Sequence, residues 1–558
     1  MTGAGCTWVA VQSPTALVRV DLVCEVPAVK TQGEPSAHRG RLGGKTADAD
    51  AMPTPTPPRT AAVLVLGDVG RSPRMQYHAL SLAESCAEVR LVGYAGERCV
   101  PSVEASPRIR TVLMRPDVLA RPSSRLLLVL YLPLKALLQL GQLLWTLLVV
   151  LPQSDVLLVQ TPPAIPALLA AWAVRMLRRT VVVLDWHNLA YTVLQDGLRK
   201  GHPFVPLAKA YEEFFAGRFD GHLCVTAAMQ AWLRDKWGVD ARVLHDRPPA
   251  FFAPLPPPQR HDLLRRLAPL FVSAHDGAHL WGDPAAADGV GPWAGGATPW
   301  TTADGRPRDG RPALLVSSTS WSADEDFGML LEALTALDGE LAKAETAAAD
   351  AAPALRVVAV VTGKGPLKAA YEARMRTMAL RHVAVCTMWL DPADYPRLLG
   401  AADLGVCLHT STSGLDLPMK VLDMYGCGLP VCAVGFDCLS ELVVDGANGL
   451  VFDSAAALAD QLHSLLAPTK AAAAALEKLR AGVAASEAER PRWAENWRAA
   501  AAPLLLEPPP PGAWFYKRPL YPVMAVVIWF VVVFVLGSDE PVPSVPVSKD
   551  PRAAIPFL

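Results

Sequence analysis

The feature that most constrains the fold is a series of short, continuously apolar runs, each followed by a polar turn and a helical pattern. In the first half these runs are AAVLVLG, EVRLVGYAG, RIRTVLM, DVLLVQTPP, TVVVLDWHN and GHLCVTAAM. The series restarts at residue 313 with ALLVSSTSW, LRVVAVVTGKGP, HVAVCTMWL, DLGVCLHTS and LPVCAVG. Apolar strands that alternate with helices are typical of parallel sheets covered on both faces. The sequence therefore predicts two Rossmann-like, doubly wound α/β domains, over 61–252 and 313–505.

Length and charge narrow the possible functions. A chain of 558 residues is too long for one ordinary core,. The formal net charge of -1 gives no general electrostatic attraction to nucleic acid, so no nucleic-acid partner is expected,. Hydrophobic residues make up 51% of the chain, and the mean hydropathy of +0.24 is high for a freely soluble enzyme. These values suggest contact with a bilayer.

Two segments outside the strand series have a different composition. Residues 1–60 show no apolar period and end in a Pro/Thr-rich linker, so we expect a disordered tail rather than a signal peptide,. Residues 253–312 are rich in Pro, Gly, Ala and Asp, with one possible short helix in RHDLLRRLAPLF. This length predicts a flexible surface insertion between the two domains.

Two further segments raise the question of a membrane. Residues 126–151 are long enough to span, but they contain a proline, a lysine and two glutamines and lie between strands of the first domain. We prefer a helix lying in the membrane interface, with a span as the alternative. Residues 519–537 hold about 17 successive apolar residues, the low end for a span. Lys517 and Arg518 precede them, which predicts a C-terminal transmembrane helix with the two domains on the cytosolic side,.

The stretch GDVGRSPRMQYHALSLA follows the first predicted strand. Glycines at a strand-to-helix turn can present backbone N–H groups to an anion, and arginines nearby can bind phosphate oxygens. The alternative is a tight turn with two solvated arginines. Asp68 lies in the same loop and could act as a general base. The residues predicted to bind the acceptor or a diphosphate are Gly67, Gly70, Arg71, Ser72, Arg74 and Asn188.

The stretch LDWHN places polar side chains just after another buried strand, where we expect them to reach a cleft between the domains. His187 could accept a proton or bind a sugar hydroxyl. The alternative is a structural histidine satisfied by Asp185. On the helical stretch YEEFF, Tyr211, Glu212 and Glu213 suggest a solvated face rather than a paired-carboxylate site.

The second domain carries polar loops after several strands. In VVTGKGP, glycine permits close approach of the backbone to a ligand, and Lys364 can neutralise a phosphate. In HTSTSGLDLPMKVLD, Lys420 could reach phosphate and Asp423 could hold ribose hydroxyls; the alternative is a capped surface helix. The predicted donor-binding residues are Ser317, Ser320, Gly363, Lys364, Gly365, Ser413, Asp416, Lys420, Asp423 and Glu441. The ten cysteines lack paired close spacing, and no metal site is assigned,.

These motifs, together with LCVT, DEDF, DYPRLLGAADLGVCLHTS and CGLPVCAV…NGLVF, resemble the chitobiosyldiphosphodolichol β-mannosyltransferase family over 61–255 and 313–500. The resemblance implies a GT-B fold, two domains facing a cleft, on the cytosolic face of the endoplasmic reticulum membrane. It implies transfer of the first β-1,4-mannose from GDP-mannose to dolichyl-diphosphate chitobiose, with inversion. Family members carry their hydrophobic anchor before the first strand, whereas here the candidate anchor is C-terminal.

The resemblance also implies roles for the candidate residues. Asp68 is the expected base and His187 its rival, since inversion needs one displacement with a base on the acceptor hydroxyl. Lys364 and Lys420 would carry the charge of the leaving diphosphate. Asp423 would bind ribose, although Asp stands where wider GT-B enzymes have Glu.

The expected function is therefore an inverting mannosyltransferase with no bound cofactor, GDP-mannose as donor substrate and an open metal requirement. One alternative is a non-catalytic scaffold that binds lipid diphosphate and recruits other dolichol-pathway glycosyltransferases, which are candidate partners in either case. Another is a GT-B enzyme that uses a different sugar nucleotide. The presence of Lys364, Lys420 and Asp423 counts against the scaffold, whereas the donor's identity depends on the resemblance alone.

Overall fold

The structure is a computed structural model that describes residues 59–115, 125–198, 201–271, 293–322, 325–347 and 355–507. Two predicted segments lie outside these residues: the N-terminal tail, apart from its last two positions, and the transmembrane helix at 519–537. Within the described residues, no helix combines the length and apolar character needed to cross a bilayer.

The N-terminal domain is a seven-stranded, fully parallel sheet in the order β3-β2-β1-β4-β5-β6-β7. Its strands β1 to β7 are Thr60–Asp68, Glu88–Tyr94, Ile109–Met114, Val156–Thr161, Val181–Trp186, Gly221–Cys224 and Arg242–Val243. Its helices α1 to α7 are Pro73–Ser85, Pro101–Glu104, Arg125–Trp145, Ala167–Arg178, Ala190–Asp196, Phe204–Ala216 and Ala227–Trp237.

The C-terminal domain repeats the same winding in a six-stranded parallel sheet of order β10-β9-β8-β11-β12-β13. Its strands β8 to β13 are Ala313–Ser318, Val357–Thr362, Val383–Met388, Leu404–Cys407, Val431–Val434 and Gly449–Phe452. Helices α8 to α16 are Pro257–Leu267, Phe327–Ala347, Lys368–Met375, Tyr395–Ala401, Met419–Gly426, Ala455–Leu466, Lys470–Glu489, Trp493–Ala500 and Ala502–Leu505.

Both sheets confirm the predicted doubly wound topology. In each sheet the first strand lies in the middle and pairs with the second strand on one side and the fourth on the other. Ligands of such sheets bind beyond the carboxyl ends of the strands, at this point of reversal. The loops after β1, β4, β5, β8, β9 and β11 are therefore where a site is expected, and they contain most of the predicted residues.

The segment 126–151 forms α3 followed by a π-helical turn, Thr146–Val150. The inner side of this element is part of the domain core, with Leu143 and Leu144 each 1% exposed. Other apolar positions on it are exposed, such as Leu134 at 49% and Leu137 at 40%. Apolar surface on both sides explains why the sequence pattern resembled a membrane segment.

Part of the segment 253–312, which the sequence suggested to be a flexible insertion, packs into the C-terminal domain. Leu263 and Leu264 of α8 are buried in its core together with Phe271. Trp300 is fully buried, with its ring centroid 4.9 Å from that of Phe271. These apolar residues close one face of the second sheet.

The last two helices, α15 and α16, return to the N-terminal domain. Trp497 and Leu505 are buried among residues of the first sheet and of α1. The indole N–H of Trp497 donates to Nδ1 of His78 at 2.9 Å. The chain segment at 493–505, assigned from sequence to the C-terminal domain, thus covers the N-terminal sheet and ties the two domains together.

Candidate active site

The glycine-arginine loop after β1 does not present free backbone donors. The N–H groups of residues 69–72 all donate within the protein, to the carbonyl oxygens of Tyr94, Asp68 and Val69 and to the carboxylate of Asp68, at 2.9–3.2 Å. An anion would have to displace these bonds. The expected backbone cradle is therefore absent from this loop as the structure describes it.

Asp68 connects two loops. Its Oδ1 accepts from the Gly70 N–H at 2.9 Å and its Oδ2 from the Glu97 N–H at 3.0 Å. A Cβ on Gly70 would lie 2.1 Å from the carbonyl oxygen of Glu97, and one on Gly96 would lie 2.1 Å from Asp68 Oδ2. Glycine is needed here because the loops touch. The carboxylate keeps further lone pairs, so it can still accept a proton.

Arg74 is not available to a phosphate, contrary to the sequence expectation. Its side chain is 3% exposed and forms a two-point ion pair with Asp185, with both N–O distances 2.8 Å. The remaining nitrogen contacts Asp246 at 2.8 Å. Burial opposes the charge of Arg74, but the two carboxylates outweigh it and raise the pKa. Arg74 therefore links α1 to Asp185 at the end of β5 and to Asp246 in the chain that follows β7. Arg71, by contrast, is exposed.

His187 is held by Asp185 and is partly exposed. Its Nε2 lies 2.8 Å from Asp185 Oδ2, and its ring is 23% exposed. Burial alone would raise the pKa of Asp185, but Arg74 and His187 hold it well below its usual range. An ionised Asp185 favours the tautomer with the proton on Nε2, which leaves Nδ1 as a proton acceptor. Such an arrangement is typical of a positioned general base.

Asn188 joins the two domains. Its amide N–H donates to Asp416 Oδ1 at 2.8 Å and to Thr412 Oγ1 at 3.2 Å, both in the loop after β11. Thr226 adds a bond to the carbonyl oxygen of Leu415 at 2.5 Å. Asp416 also accepts from Ser411. The polar residues after β5 and β11 therefore meet, as the sequence predicted for a shared cleft, but Asn188 and Asp416 are paired with each other.

Glu441 caps a helix of the other domain rather than facing an open site. Its carboxylate accepts from the N–H groups of Ala227 and Ala228, the first residues of α7, at 2.8 and 2.7 Å. Burial would raise its pKa, but His245 and these two N–H groups lower it. A carboxylate at a helix N-terminus is favourable, and this contact links the domains. The predicted donor-binding role of Glu441 requires this cap to open.

In the C-terminal domain, the loops after β8 and β9 lie against each other. Gly363 has φ of 142°, and a Cβ on it would lie 1.8 Å from the carbonyl oxygen of Thr319. A Cβ on Gly365 would lie 1.8 Å from the carbonyl oxygen of Ser320. Ser317 is 2% exposed, and its hydroxyl has no hydrogen-bond partner among the described residues. Both glycines of GKG are thus required to bring Lys364 beside the serine-rich loop.

The two predicted lysines differ in their surroundings. Lys364 is exposed, and its Nζ lies 4.0 Å from the ring centroid of Trp389. Lys420 forms an ion pair with Glu325, whose side chain is 1% exposed. Glu325 also accepts from the Ser320 N–H at 2.8 Å. Glu325 was not singled out from sequence, although it belongs to the DEDF motif; it holds both the serine-rich loop and Lys420.

Asp423 lies on α12, and its carboxyl group has a raised pKa. Burial, followed by the charge of Asp246, raises its pKa to about 8. Burial raises the pKa of Tyr77 and of Tyr395, and the charge of Asp423 raises both further. A protonated carboxyl can donate as well as accept, so Asp423 has the chemistry to bind a hydroxyl group. Ser413, by contrast, accepts from the Leu415 N–H at 3.2 Å and shapes its own loop.

Glu212 corrects the expectation of a solvated face on YEEFF. It is fully buried, and its carboxylate accepts from the N–H groups of Ala190 and Tyr191 at 2.8 and 3.0 Å. Burial raises its pKa to about 7, against the effect of these two bonds. The residue fixes the start of α5 immediately after His187 and Asn188. Its partners are about twenty positions away, so spacing in the sequence gave no signal.

A cavity of about 380 Å³ lies where the two domains meet. Its lining includes Asp196 from the N-terminal domain and Asp326 with residues 410–412 from the C-terminal domain. This size falls within the range of ligand sites in proteins. Among the described residues, no group of His, Cys, Asp and Glu has the arrangement of a metal site.

Comparison with known proteins agrees with this two-domain arrangement. Residues 69–250 match the family model described as "Glycosyl transferase 4-like domain", and residues 322–468 match "Glycosyl transferases group 1". The structure of Anabaena HepE in complex with UDP and glucose superposes with a TM-score of 0.52 at 13% identity, covering 80% of this chain and 99% of that one. The fold and these matches define a glycosyltransferase of the GT-B type.

Curated relatives give the family. The chitobiosyldiphosphodolichol β-mannosyltransferase of Mus musculus is 43% identical over 452 residues, covering 80% of this chain and 89% of the relative. The Homo sapiens protein of that name is 41% identical over 80% of this chain and 93% of its own. An Arabidopsis thaliana relative named UDP-glycosyltransferase TURAN is 44% identical, and the match covers 80% of this chain and 97% of the relative. The chain belongs to the chitobiosyldiphosphodolichol β-mannosyltransferase family.

Proposed function

We propose that the protein transfers mannose from GDP-mannose to the chitobiose of dolichyl-diphosphate chitobiose, with inversion, forming the first β-1,4-mannosyl bond. The observation that carries this proposal is the identity of 41–43% to mammalian enzymes of that name over 80% of the chain. The cleft supports it, since polar residues after β5 and β11 meet there. The name of the Arabidopsis relative makes a UDP-sugar the second candidate donor.

The donor would bind to the C-terminal domain. Lys364, exposed beside the serine-rich loop, and Lys420, held by buried Glu325, would balance the charge that develops on the leaving diphosphate,. Asp423, with its raised pKa, would bind the ribose hydroxyls. In this arrangement the glycines of GKG position Lys364, and the ring of Trp389 stabilises its charge.

The catalytic base would be His187, with Asp68 as the rival. Asp185 orients the imidazole and stabilises the imidazolium that forms when Nδ1 takes the acceptor proton,. Asp68 already accepts two backbone bonds, so only its remaining lone pairs are free for the acceptor hydroxyl,. His187→Ala should lower kcat by about 100-fold or more, and Asp68→Asn by less. The reverse order would assign the base to Asp68.

The substrates can be tested directly with purified protein and chitobiosyl-diphosphate-phytanyl acceptor. We expect a product one hexose heavier with GDP-mannose, and none with UDP-glucose or UDP-N-acetylglucosamine. A product formed only with a UDP-sugar would overturn the donor assignment. Binding of the acceptor without turnover of any sugar nucleotide would support the scaffold alternative.

The cellular location follows from the lipid substrate. The enzyme would work at the cytosolic face of the endoplasmic reticulum membrane, anchored by residues 519–537. A variant lacking 515–558 should be released by carbonate washing. If it stays in the membrane pellet as fully as the intact protein, the anchor lies elsewhere, and residues 126–151 become the first candidate.

A further inference from the structure

One loop of the C-terminal domain is attached to the N-terminal domain at several points. This bridging loop, residues 411–416, follows β11. The hydroxyl of Thr412 lies 3.4 Å from that of Thr192 on α5. The carbonyl oxygen of Leu415 accepts from Thr226, and the Leu415 side chain packs against the apolar core of the N-terminal domain. The bridging loop therefore follows the N-terminal domain in position, although it belongs to the other sheet.

The contact of the bridging loop that lies nearest the proposed base in the sequence is made by Asn188, which follows His187. Its amide nitrogen donates to Asp416 Oδ1 at 2.8 Å, and its amide oxygen accepts from the Leu189 N–H at 2.7 Å. The His187 N–H is itself bonded to the carbonyl oxygen of Thr161 at 2.8 Å. A short, fully bonded connection therefore runs from the imidazole to the bridging loop.

The same loop leads directly to the residues proposed to bind the donor. Asp416 also accepts from the hydroxyl of Ser411, which fixes its carboxylate within the loop. Helix α12, which carries Lys420 and Asp423, begins at Met419, just after the loop. A change in the position of the loop relative to the N-terminal domain would therefore change the position of the base relative to the donor.

The two partners of this contact were predicted from the sequence to bind ligands, Asn188 a diphosphate and Asp416 the donor. The structure gives them another use, since the amide of one is bonded to the carboxylate of the other. A carboxylate would also repel an anionic diphosphate, whereas it attracts the amide N–H. The observed pairing is therefore chemically better suited to joining the domains than to binding phosphate.

We propose that Asn188 and Asp416 are a positioning pair, whose bond across the domain interface aligns the His187 imidazole with the sugar of the bound donor. The proposal rests on the proposed function, in which His187 is the base and the C-terminal domain binds the nucleotide. Neither member of the pair touches a substrate, and both act through His187. Alignment of this kind matters because a misplacement of about 1 Å can cost about 100-fold in rate.

Exchange of the two partners tests the pair, with GDP-mannose and chitobiosyl-diphosphate-phytanyl acceptor as substrates. Asn188→Asp places two carboxylates against each other, and their repulsion should lower kcat by about tenfold or more. The KM for GDP-mannose and the Kd for GDP should stay at their wild-type values. The double variant Asn188→Asp/Asp416→Asn restores one amide and one carboxylate, so its kcat should return close to wild type. Such a recovery shows that the two side chains act on each other.

The matched control is Arg498→Ala, which removes a different contact between distant parts of the chain. Arg498 on α15 lies 3.4 Å from Glu84 on α1, and the two side chains are 63% and 62% exposed. This variant should keep the wild-type kcat. Asn188→Ala is a second variant that removes the bond without bringing two carboxylates together. It should also lower kcat at an unchanged KM for GDP-mannose, and it serves if Asn188→Asp does not fold.

Three results would overturn the positioning pair. The first is a wild-type kcat in both Asn188→Asp and Asn188→Ala. The second is a double variant no more active than Asn188→Asp alone. The third is weaker GDP binding in Asp416→Asn, which would make this carboxylate a ligand of the donor. Failure of the proposed function is distinguishable, because wild type would then transfer no hexose from GDP-mannose, and the role of the pair would be rejected with it.

Discussion

The two glycine loops, GDVG after β1 and GKG after β9, each place a pair of glycines and a charged residue at the end of a buried strand. They differ in which polar groups remain free of partners within the protein. In the first, backbone donors and the carboxylate of Asp68 are bonded within the domain, and Arg74 is buried in an ion-pair network. In the second, close packing of Gly363 and Gly365 leaves Lys364 exposed. A glycine after a buried strand therefore indicates close packing of loops. Only polar groups that are not bonded within the protein indicate a ligand site.

The largest effect is expected from the buried arginine of the first loop. Arg74→Ala leaves Asp185 buried without its main partner, which should cost about 3–5 kcal/mol in the free energy of unfolding. Arg71→Ala, three positions away but exposed, should change it by less than about 0.5 kcal/mol. Urea unfolding followed by circular dichroism measures both.

A phosphate-binding role for Arg74 makes a different prediction. Arg74→Ala would then unfold at the wild-type urea concentration and lose only affinity for the lipid-diphosphate acceptor. That result would remove the difference between the two loops.

Substitution of glycines in the first loop should have a smaller effect on stability, and Gly67 serves as the control for Gly70. Gly70→Ala places a Cβ 2.1 Å from a backbone oxygen, whereas Gly67→Ala places one no nearer than 3.6 Å to its closest neighbour. We expect Gly70→Ala to cost about 1–3 kcal/mol and Gly67→Ala much less. Thermal unfolding distinguishes them; equal melting temperatures would mean that the loops are not in contact in solution.

The last effect depends on pH and concerns Asp423. Because its folded pKa of about 8 lies above its ordinary value of 3.8, the folded state binds the proton more tightly, and stability falls as pH rises between these values,. Asp423→Asn removes this loss. Its melting temperature should exceed that of wild type at pH 8, and the difference should be smaller at pH 5.

The matched control for this experiment is Asp416→Asn, in which the carboxylate is paired with Asn188 and Ser411. It should not raise the melting temperature, because the Asp416 carboxylate already accepts from Asn188 and Ser411. A gain for Asp423→Asn that is greater at pH 5 than at pH 8 would contradict the raised pKa.

The sequence predicted the strands well because parallel strands buried on both faces are continuous apolar runs. It missed β7, which has two residues, and did not place β13 in the strand series. Neither residue of β7 is buried and only the first and last residues of β13 are, so neither strand forms a continuous buried apolar run. Helix α8 was only a possible helix within the predicted insertion, because its proline-rich surroundings resemble a linker.

The sequence placed the candidate residues at strand ends but showed few of their pairings; the contact between His187 and Asp185, two positions apart, was offered as an alternative. Arg74 and Asp185 are 111 positions apart, and Glu441 is 214 from the helix end that it caps. Nothing in local spacing shows which polar residues satisfy one another across a fold. Lys364 is exposed and His187 is partly exposed. Glu325, which pairs with Lys420, and Asp246, which pairs with Arg74, were not singled out from the sequence.

The central claim is that the nucleotide diphosphate is bound by the C-terminal loops and not by the glycine-arginine loop. Calorimetric titration of GDP into wild type, Lys364→Ala and Arg71→Ala tests it most directly, since each variant removes one exposed cation. We predict that Lys364→Ala weakens GDP binding by about tenfold or more and that Arg71→Ala retains the wild-type Kd. Weaker GDP binding in Arg71→Ala, with Lys364→Ala unchanged, would contradict the account.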